Sequence, residues 1–265
     1  MKKMTVALVA LIVMASGVYA ETVTSVNIVG YKATTLEPGK RIIMSAPLYD
    51  PSGDGTNTLI SVFGTDQLEQ NINYLGADQV ILFDTVAGAY QAYAQYTDGH
   101  FYKCNSLAEW NLSILADDTI LEAGGSFWLV HPGTAAESEV SLLGEVLGGK
   151  THTADVPIVT GYQLSSSPYA AAKAIQDIAK IADGATAHIN YLGADRIVTW
   201  DSDLQAYQAY GLYTDDTWYK CNDLAQWNLS IAAASDIDLA EGFWYISQSE
   251  FTLSDACPYA GAYNN

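Results

Sequence analysis

A 43-residue stretch of this chain is present twice. Residues 72–114 read INYLGADQVILFDTVAGAYQAYAQYTDGHFYKCNSLAEWNLSI, and residues 189–231 read INYLGADRIVTWDSDLQAYQAYGLYTDDTWYKCNDLAQWNLSI. At a fixed offset of 117 residues and without a gap, 27 of the 43 positions are identical. A repeat this close marks two copies of one folding unit, so a functional site must be sought in both. Weaker correspondences extend it. Ser45-Ala46-Pro47 matches Ser166-Ser167-Pro168, Phe127-Trp128 matches Phe243-Trp244, and each copy closes on a similar phrase, Ser138-Glu139-Val140 and Ser249-Glu250-Phe251. The expected organisation is an N-terminal strand segment at 21–38, copy one at 39–147, a linker at 148–156 opened by Gly148-Gly149, and copy two at 157–265.

The first twenty residues stand apart. Lys2 and Lys3 precede an apolar run over 4–17, and Val18-Tyr19-Ala20 has the small-x-small form of a cleavage site. Residues 1–20 are therefore expected to be a secretory signal peptide, and the mature protein to be secreted or held at a bacterial cell surface. The apolar run is shorter than the roughly 20 residues a spanning helix needs, so no membrane insertion is expected after cleavage. The formal net charge of −19 repels nucleic acid and anionic lipid.

Within each copy the pattern is mostly β. A short apolar run covers 79–84, and tyrosine and alanine alternate with polar residues over 90–96, a period-two signature with one wet face. Phe101-Tyr102 and Phe127-Trp128-Leu129-Val130 give further strands. A helix is expected over 170–182, where Ile175, Ile178, Ala179 and Ile181 or Ala182 share a face, and a weaker one over 58–63. The expected fold is mainly β: two tandem homologous β-sandwich or barrel-like domains, each with one short helix.

Val26 and Ile28 are alternate apolar positions in an N-terminal strand that resembles the closing strand of each copy. Two readings follow. The strand pairs within its own domain, or it is a spare strand that completes a sheet in the next molecule. The chain has three cysteines, Cys104, Cys221 and Cys257. The first two are equivalent positions of a Tyr-Lys-Cys-Asn turn. Cys257 has no counterpart, which makes it the candidate for an intermolecular bridge. Val26, Ile28 and Cys257 are thus the assembly candidates.

Val29-Gly30-Tyr31, Pro38-Gly39, Pro47, Phe127-Trp128 and Phe243-Trp244 together resemble a group of uncharacterised secreted bacterial β-domain proteins that often exist as many paralogues. The resemblance spans most of the chain after residue 20. It implies a surface or structural role and supplies no catalytic residues.

The search for chemistry finds little. No nucleophile elbow, phosphate loop, dinucleotide loop or HExxH is present. His100 stands opposite Thr217, and His188 opposite Asn71, so neither belongs to a duplicated site, and the histidines read as scattered surface residues. Asp78 and Asp84 recur as Asp195 and Asp201 and read as strand-edge and turn residues. No enzyme activity is expected. Asp50, Ser52 and Asp54 have the 1-3-5 spacing of a calcium loop, but Ser61 stands where the bidentate Glu belongs, so calcium is the one cofactor candidate and a weak one. The richest repeated material is aromatic. Tyr93, Trp110, Tyr210 and Trp227 are candidates for a ligand platform. The expected function is a secreted, non-catalytic structural protein that self-associates through strand edges into filaments or a coat; the alternative is a carbohydrate- or polymer-binding module with extracellular polysaccharide as its partner.

Overall fold

The structure, a computed structural model, describes residues 29–49, 56–105, 109–146, 153–221, 227–232, 236–237 and 241–258. Expectations that fall on 1–20, on Val26 and Ile28, and on Asp50, Ser52 and Asp54 lie outside these residues.

The chain is mainly β and builds several antiparallel sheets. The first half runs β1 (Val29–Leu36), β2 (Arg41–Met44), β3 (Leu48–Tyr49), the single-turn helix α1 (Leu59–Phe63), β4 (Gln79–Asp84), β5 (Ala89–Gln95), β6 (Phe101–Cys104), β7 (Trp110–Leu115), β8 (Phe127–Val130) and β9 (Ser138–Val146). The second half runs β10 (Thr153–Ile158), β11 (Gly161–Ser166), β12 (Lys173–Ala174), β13 (Arg196–Asp201), β14 (Ala206–Leu212), β15 (Trp218–Cys221), β16 (Trp227–Ala232), β17 (Asp236–Ile237), β18 (Gly242–Ser247) and β19 (Phe251–Ala256). Two six-stranded sheets carry the repeat, in the orders β2-β8-β4-β5-β6-β7 and β11-β18-β13-β14-β15-β16. Strand for strand the two orders are the same.

Burial explains the sequence pattern of these sheets. Met44, Val80, Phe127 and Leu129 face an inner core with Leu36, Val140, Leu142 and Val146 of β1 and β9, closed by Leu59 and Phe63 of α1. Their neighbours Ile43, Ile81, Trp128 and Val130 face the opposite way, into a layer shared with Leu164, Val198, Trp200 and Trp244 of the second half. Strands buried on both faces read as unbroken apolar runs, as in Val80-Ile81-Leu82-Phe83 and Phe127-Trp128-Leu129-Val130. Strand β10 is buried on one face only, and its Ala154, Val156 and Ile158 alternate with exposed Thr153, Asp155 and Pro157.

Two expectations about boundaries change. The first strand pairs with the closing strand of its own half, from Val29↔Glu145 to Leu36↔Ser138. The second half has the same device, because β10 pairs with β19 from Thr153↔Ala256 to Ile158↔Phe251. What sequence reads as linker up to residue 156 is therefore already strand from Thr153, and no closing-type strand is left over among the described residues.

The helix expected over 170–182 does not form. The segment starts as β12, which pairs with β17, and continues as two one-turn 3-10 helices, Ile175–Asp177 and Ile181–Asp183. Tertiary bonds outweigh the helical pattern. The Lys173 ammonium bonds the Asp255 carboxylate. Gln176 brackets the Trp218 backbone, its Oε1 accepting from the N–H at 3.0 Å and its Nε2 donating to the C=O at 2.7 Å. The Trp218 indole donates to the Ala179 carbonyl at 2.9 Å. Ile175, Ile178 and Ala179 still enter the core, each from its own turn. In the first half the expected helix at 58–63 is present as α1, capped by Thr58 and Ser61, each bonding the other's backbone N–H.

Candidate functional site

The two halves meet through interlocked aromatic clusters. Trp244 of β18 lies edge-on to Phe83 and Tyr90 of the first half at 5.1 and 6.1 Å between centroids, with Tyr162 at 6.4 Å. Trp128 of β8 lies edge-on to Trp200 and Tyr207 of the second half at 5.2 and 6.3 Å. Phe83 and Trp200 are repeat equivalents, as are Tyr90 and Tyr207. Each half thus inserts its Phe-Trp strand tryptophan against the other half's aromatic pair. The contact is the self-complementary, two-fold kind. The backbones also touch. A Cβ on Gly242 would stand 2.4 Å from Ser126 Cβ and 2.5 Å from Ile43 Cγ2, so this crossing needs glycine. The Trp200 indole donates to the Arg41 carbonyl at 2.7 Å.

A cleft of about 470 Å³ opens at this junction. Arg41, Tyr90, Gln91, Asn105, Trp128 and Tyr207 are among its lining residues, and among the described residues no Asp or Glu is. The Arg41 guanidinium lies over Trp200 at 5.1 Å and over Trp128 at 5.9 Å, within cation–π range. Tyr90 and Tyr207 are 57% and 56% exposed. Burial raises the Tyr90 phenol pKa, Tyr207 adds to the rise and Arg41 opposes it.

The outer end of each six-stranded sheet is the second distinctive feature. Strands β7 and β16 are terminal in their sheets and have no further strand partner among the described residues. They lie at the end remote from β2 and β11, which contact the opposite half. The ladder from β6 to β7 holds only Tyr102↔Leu115 and Cys104↔Trp110, so Asn111-Leu112-Ser113-Ile114 arches away from β6. The β15–β16 ladder has the same two pairs, Tyr219↔Ala232 and Cys221↔Trp227. Leu112 and Leu229 are 48% and 46% exposed. Exposed Ile72 and Ile189 adjoin the same edges, since the Trp110 and Trp227 indoles donate to their carbonyls at 2.9 Å. Neither strand contains a charged residue before the Asp and Glu of the neighbouring loops.

The structure places the four platform candidates differently from the expected exposed face. Tyr210 is buried in the second core, and Tyr93 packs against the first. Trp110 is fixed edge-on between Tyr74 and Tyr96, and Trp227 between Tyr191 and Tyr213. They support the sheets. The most exposed tyrosines at equivalent positions of the two copies are Tyr90 and Tyr207. Cys257 is buried beside Ala154 and Tyr169, a position that does not present its thiol to another chain. Cys104 and Cys221 are buried too, each with its pKa pushed up to about 12 by burial. Their thiols are unpaired in disulfides.

Two expectations about polar residues are corrected. His131 is not a surface histidine but is buried, with Nδ1 2.6 Å from Asp78 Oδ1 and Nε2 2.8 Å from the Ala136 carbonyl. Asp78 is not a strand-edge residue but fully buried, and its Oδ2 accepts from the Glu69 N–H at 2.7 Å. In the second half Asp195 does the same work with other partners: the Gln248 N–H at 2.8 Å, the Tyr245 hydroxyl at 3.0 Å and the Ser247 hydroxyl. Burial raises the pKa of both carboxyl groups despite these donors. Each acid ties the start of β4 or β13 to the end of β8 or β18, a latch within the fold. Asp84 and Asp201 are turn residues as expected, each accepting two backbone N–H groups at its Oδ1.

Among the described residues no group of three or more His, Cys, Asp or Glu is placed to hold a metal ion, and no helix is long and apolar enough to cross a membrane. No protein-family model, curated protein or solved structure matches the chain.

Proposed function

We propose that this chain is a secreted, non-catalytic building block, made of two tandem homologous β-sandwich units, that joins copies of itself into filaments or a coat through its two outer strand edges. The observation that carries the reading is the pair β7 and β16. An uncovered edge strand offers unpaired backbone donors and acceptors to another chain, and proteins ordinarily blunt such edges with charge, proline or cover. Here the edge carries a bulge but shows an exposed leucine, Leu112 in one copy and Leu229 in the other. Because the edges lie at the remote ends of two sheets joined at their other ends, the block is bivalent. Head-to-tail pairing of such a block gives an open chain. The resemblance to secreted β-domain proteins with many paralogues and the signal-like residues 1–20 agree with an extracellular setting.

The test is the assembly state of the mature protein by light scattering and negative-stain electron microscopy across a concentration series. Leu112→Lys alone caps one end and is expected to stop growth at short oligomers. Leu112→Lys with Leu229→Lys gives monomers. A wild-type protein that stays monomeric up to high micromolar concentration, or a folded double variant that assembles like the parent, sinks the reading.

A further inference from the structure

We infer that the cleft between the two halves binds a carboxylated sugar, such as a uronate residue of an acidic polysaccharide. The idea keeps a saccharide partner but moves the site from the duplicated Trp110/Trp227 positions to the junction, and it is independent of the strand edges. Three observations converge on it.

The first is charge. The chain has 30 acidic and 11 basic residues, yet among the described residues the cleft lining includes Arg41 and no carboxylate. The Arg41 guanidinium makes no ion pair among the described residues, whereas Lys40 next to it pairs with Glu37 at 3.2 Å. An arginine that is planar, permanently charged and carries five donors in a fixed fork matches a carboxylate with two parallel bonds. Trp128 and Trp200 hold this fork by stacking, so little side-chain freedom remains to be lost when an anion arrives.

The second is the wall. Tyr90 and Tyr207 bring exposed rings and hydroxyls from the two halves to one opening. Ring faces suit the apolar face of a pyranose, and the phenol hydroxyls donate to sugar or carboxylate oxygens. Gln91 is fixed by its Nε2, which donates to the Cys104 carbonyl at 2.8 Å, and this leaves its amide oxygen to accept from a sugar hydroxyl.

The third is size and asymmetry. The volume of about 470 Å³ lies within the ~300–1,000 Å³ of small-molecule sites. The repeat partner of Arg41 in the junction is Tyr162, which sits by Trp244 as Arg41 sits by Trp128. The two-fold arrangement of rings is therefore broken by one cation, and the anion-binding side is the Arg41 side.

Isothermal titration calorimetry on the mature chain with trigalacturonate tests this, with a neutral galactose trisaccharide and an N-acetylated tripeptide carboxylate as comparison ligands. Trigalacturonate is expected to bind saturably and at least about tenfold more tightly than either. Arg41→Gln should bring it down to the neutral trisaccharide's level, and Arg41→Lys should restore part of the difference. Tyr207→Phe, which keeps the ring and loses only the hydroxyl, should weaken acidic and neutral sugars by similar factors. The inference is overturned by absence of saturable heat with trigalacturonate, by equal binding of the neutral sugar or of the tripeptide, or by a folded Arg41→Gln protein that binds like the parent.

Discussion

Trp218→Phe replaces a residue of the second half by the one its repeat partner already carries, Phe101. The exchange is not neutral, because the two cores are closed differently. Phe101 packs against Phe63 of α1 at 6.1 Å between centroids. Trp218 has no such neighbour. It meets Tyr245 edge-on at 6.2 Å and sends its indole N–H to the Ala179 carbonyl. Trp218 is fully buried. The substitution leaves the Ala179 carbonyl without its donor, at a cost of about 1–3 kcal/mol. Loss of the larger ring from a fully buried position leaves an unfilled space, adding roughly 1–2 kcal/mol. A total of about 2–5 kcal/mol is expected, or a Tm lower by roughly 4–20 °C for a chain of this size. Urea unfolding followed by circular dichroism gives the difference directly, with unchanged m required for a clean reading. A variant within about 0.5 kcal/mol of the parent refutes the argument that the two halves fill equivalent space with non-equivalent pairs.

Gly242→Val forces a branched side chain into Ser126 and Ile43 at the junction, with an expected loss of at least ~1–3 kcal/mol in thermal or urea melts; a melting curve matching the parent's removes the close-crossing account. Cys104 and Cys221 stay protonated at pH 8 because burial pushes their pKa to about 12. Iodoacetamide should therefore leave these two thiols unlabelled in the native protein and alkylate both after guanidinium unfolding, and rapid native labelling of either by peptide mass spectrometry contradicts this. Asp195 has its folded pKa raised by burial, so between its unfolded value near ~3.9 and that raised value the native state holds the extra proton. Its contribution to stability is thus full at low pH and lost as pH rises through the folded pKa. Melting temperatures of wild type minus Asp195→Asn should accordingly be higher at pH 4 than at pH 7, and a difference that is flat or opposite in sign counts against it.

The repeat and the β character were open in the sequence because both rest on local pattern: identical phrases, alternation over 90–96, and apolar runs whose length suits strands. The short helix over 58–63 was legible for the same reason, though its cap was not. The segment 170–182 misleads because its isoleucines sit at helical spacing, while what decides its shape lies far along the chain, in Trp218, Ile237 and Asp255. His131 and Asp78 show a related limit. They are 53 residues apart in sequence, and the second half replaces the histidine by Ser247, so no repeated motif announces the pair. Strand β10 was hidden because its residues match β1 in role but not in letters. The aromatics were correctly seen as repeated, but which rings face out depends on how the sheets stack, and that places Tyr90 and Tyr207 rather than Tyr93 and Trp110 at a cleft.

The interlocked tryptophans make each half depend on the other. A single half, cut free, would leave its Trp128 or Trp244 without the aromatic pair that covers it, and a second identical half would supply that pair on both sides at once. The geometry is that of a two-fold interface built within one chain. Joining its two sides covalently frees them from having to be alike, and here one side holds Arg41 while the other holds Tyr162.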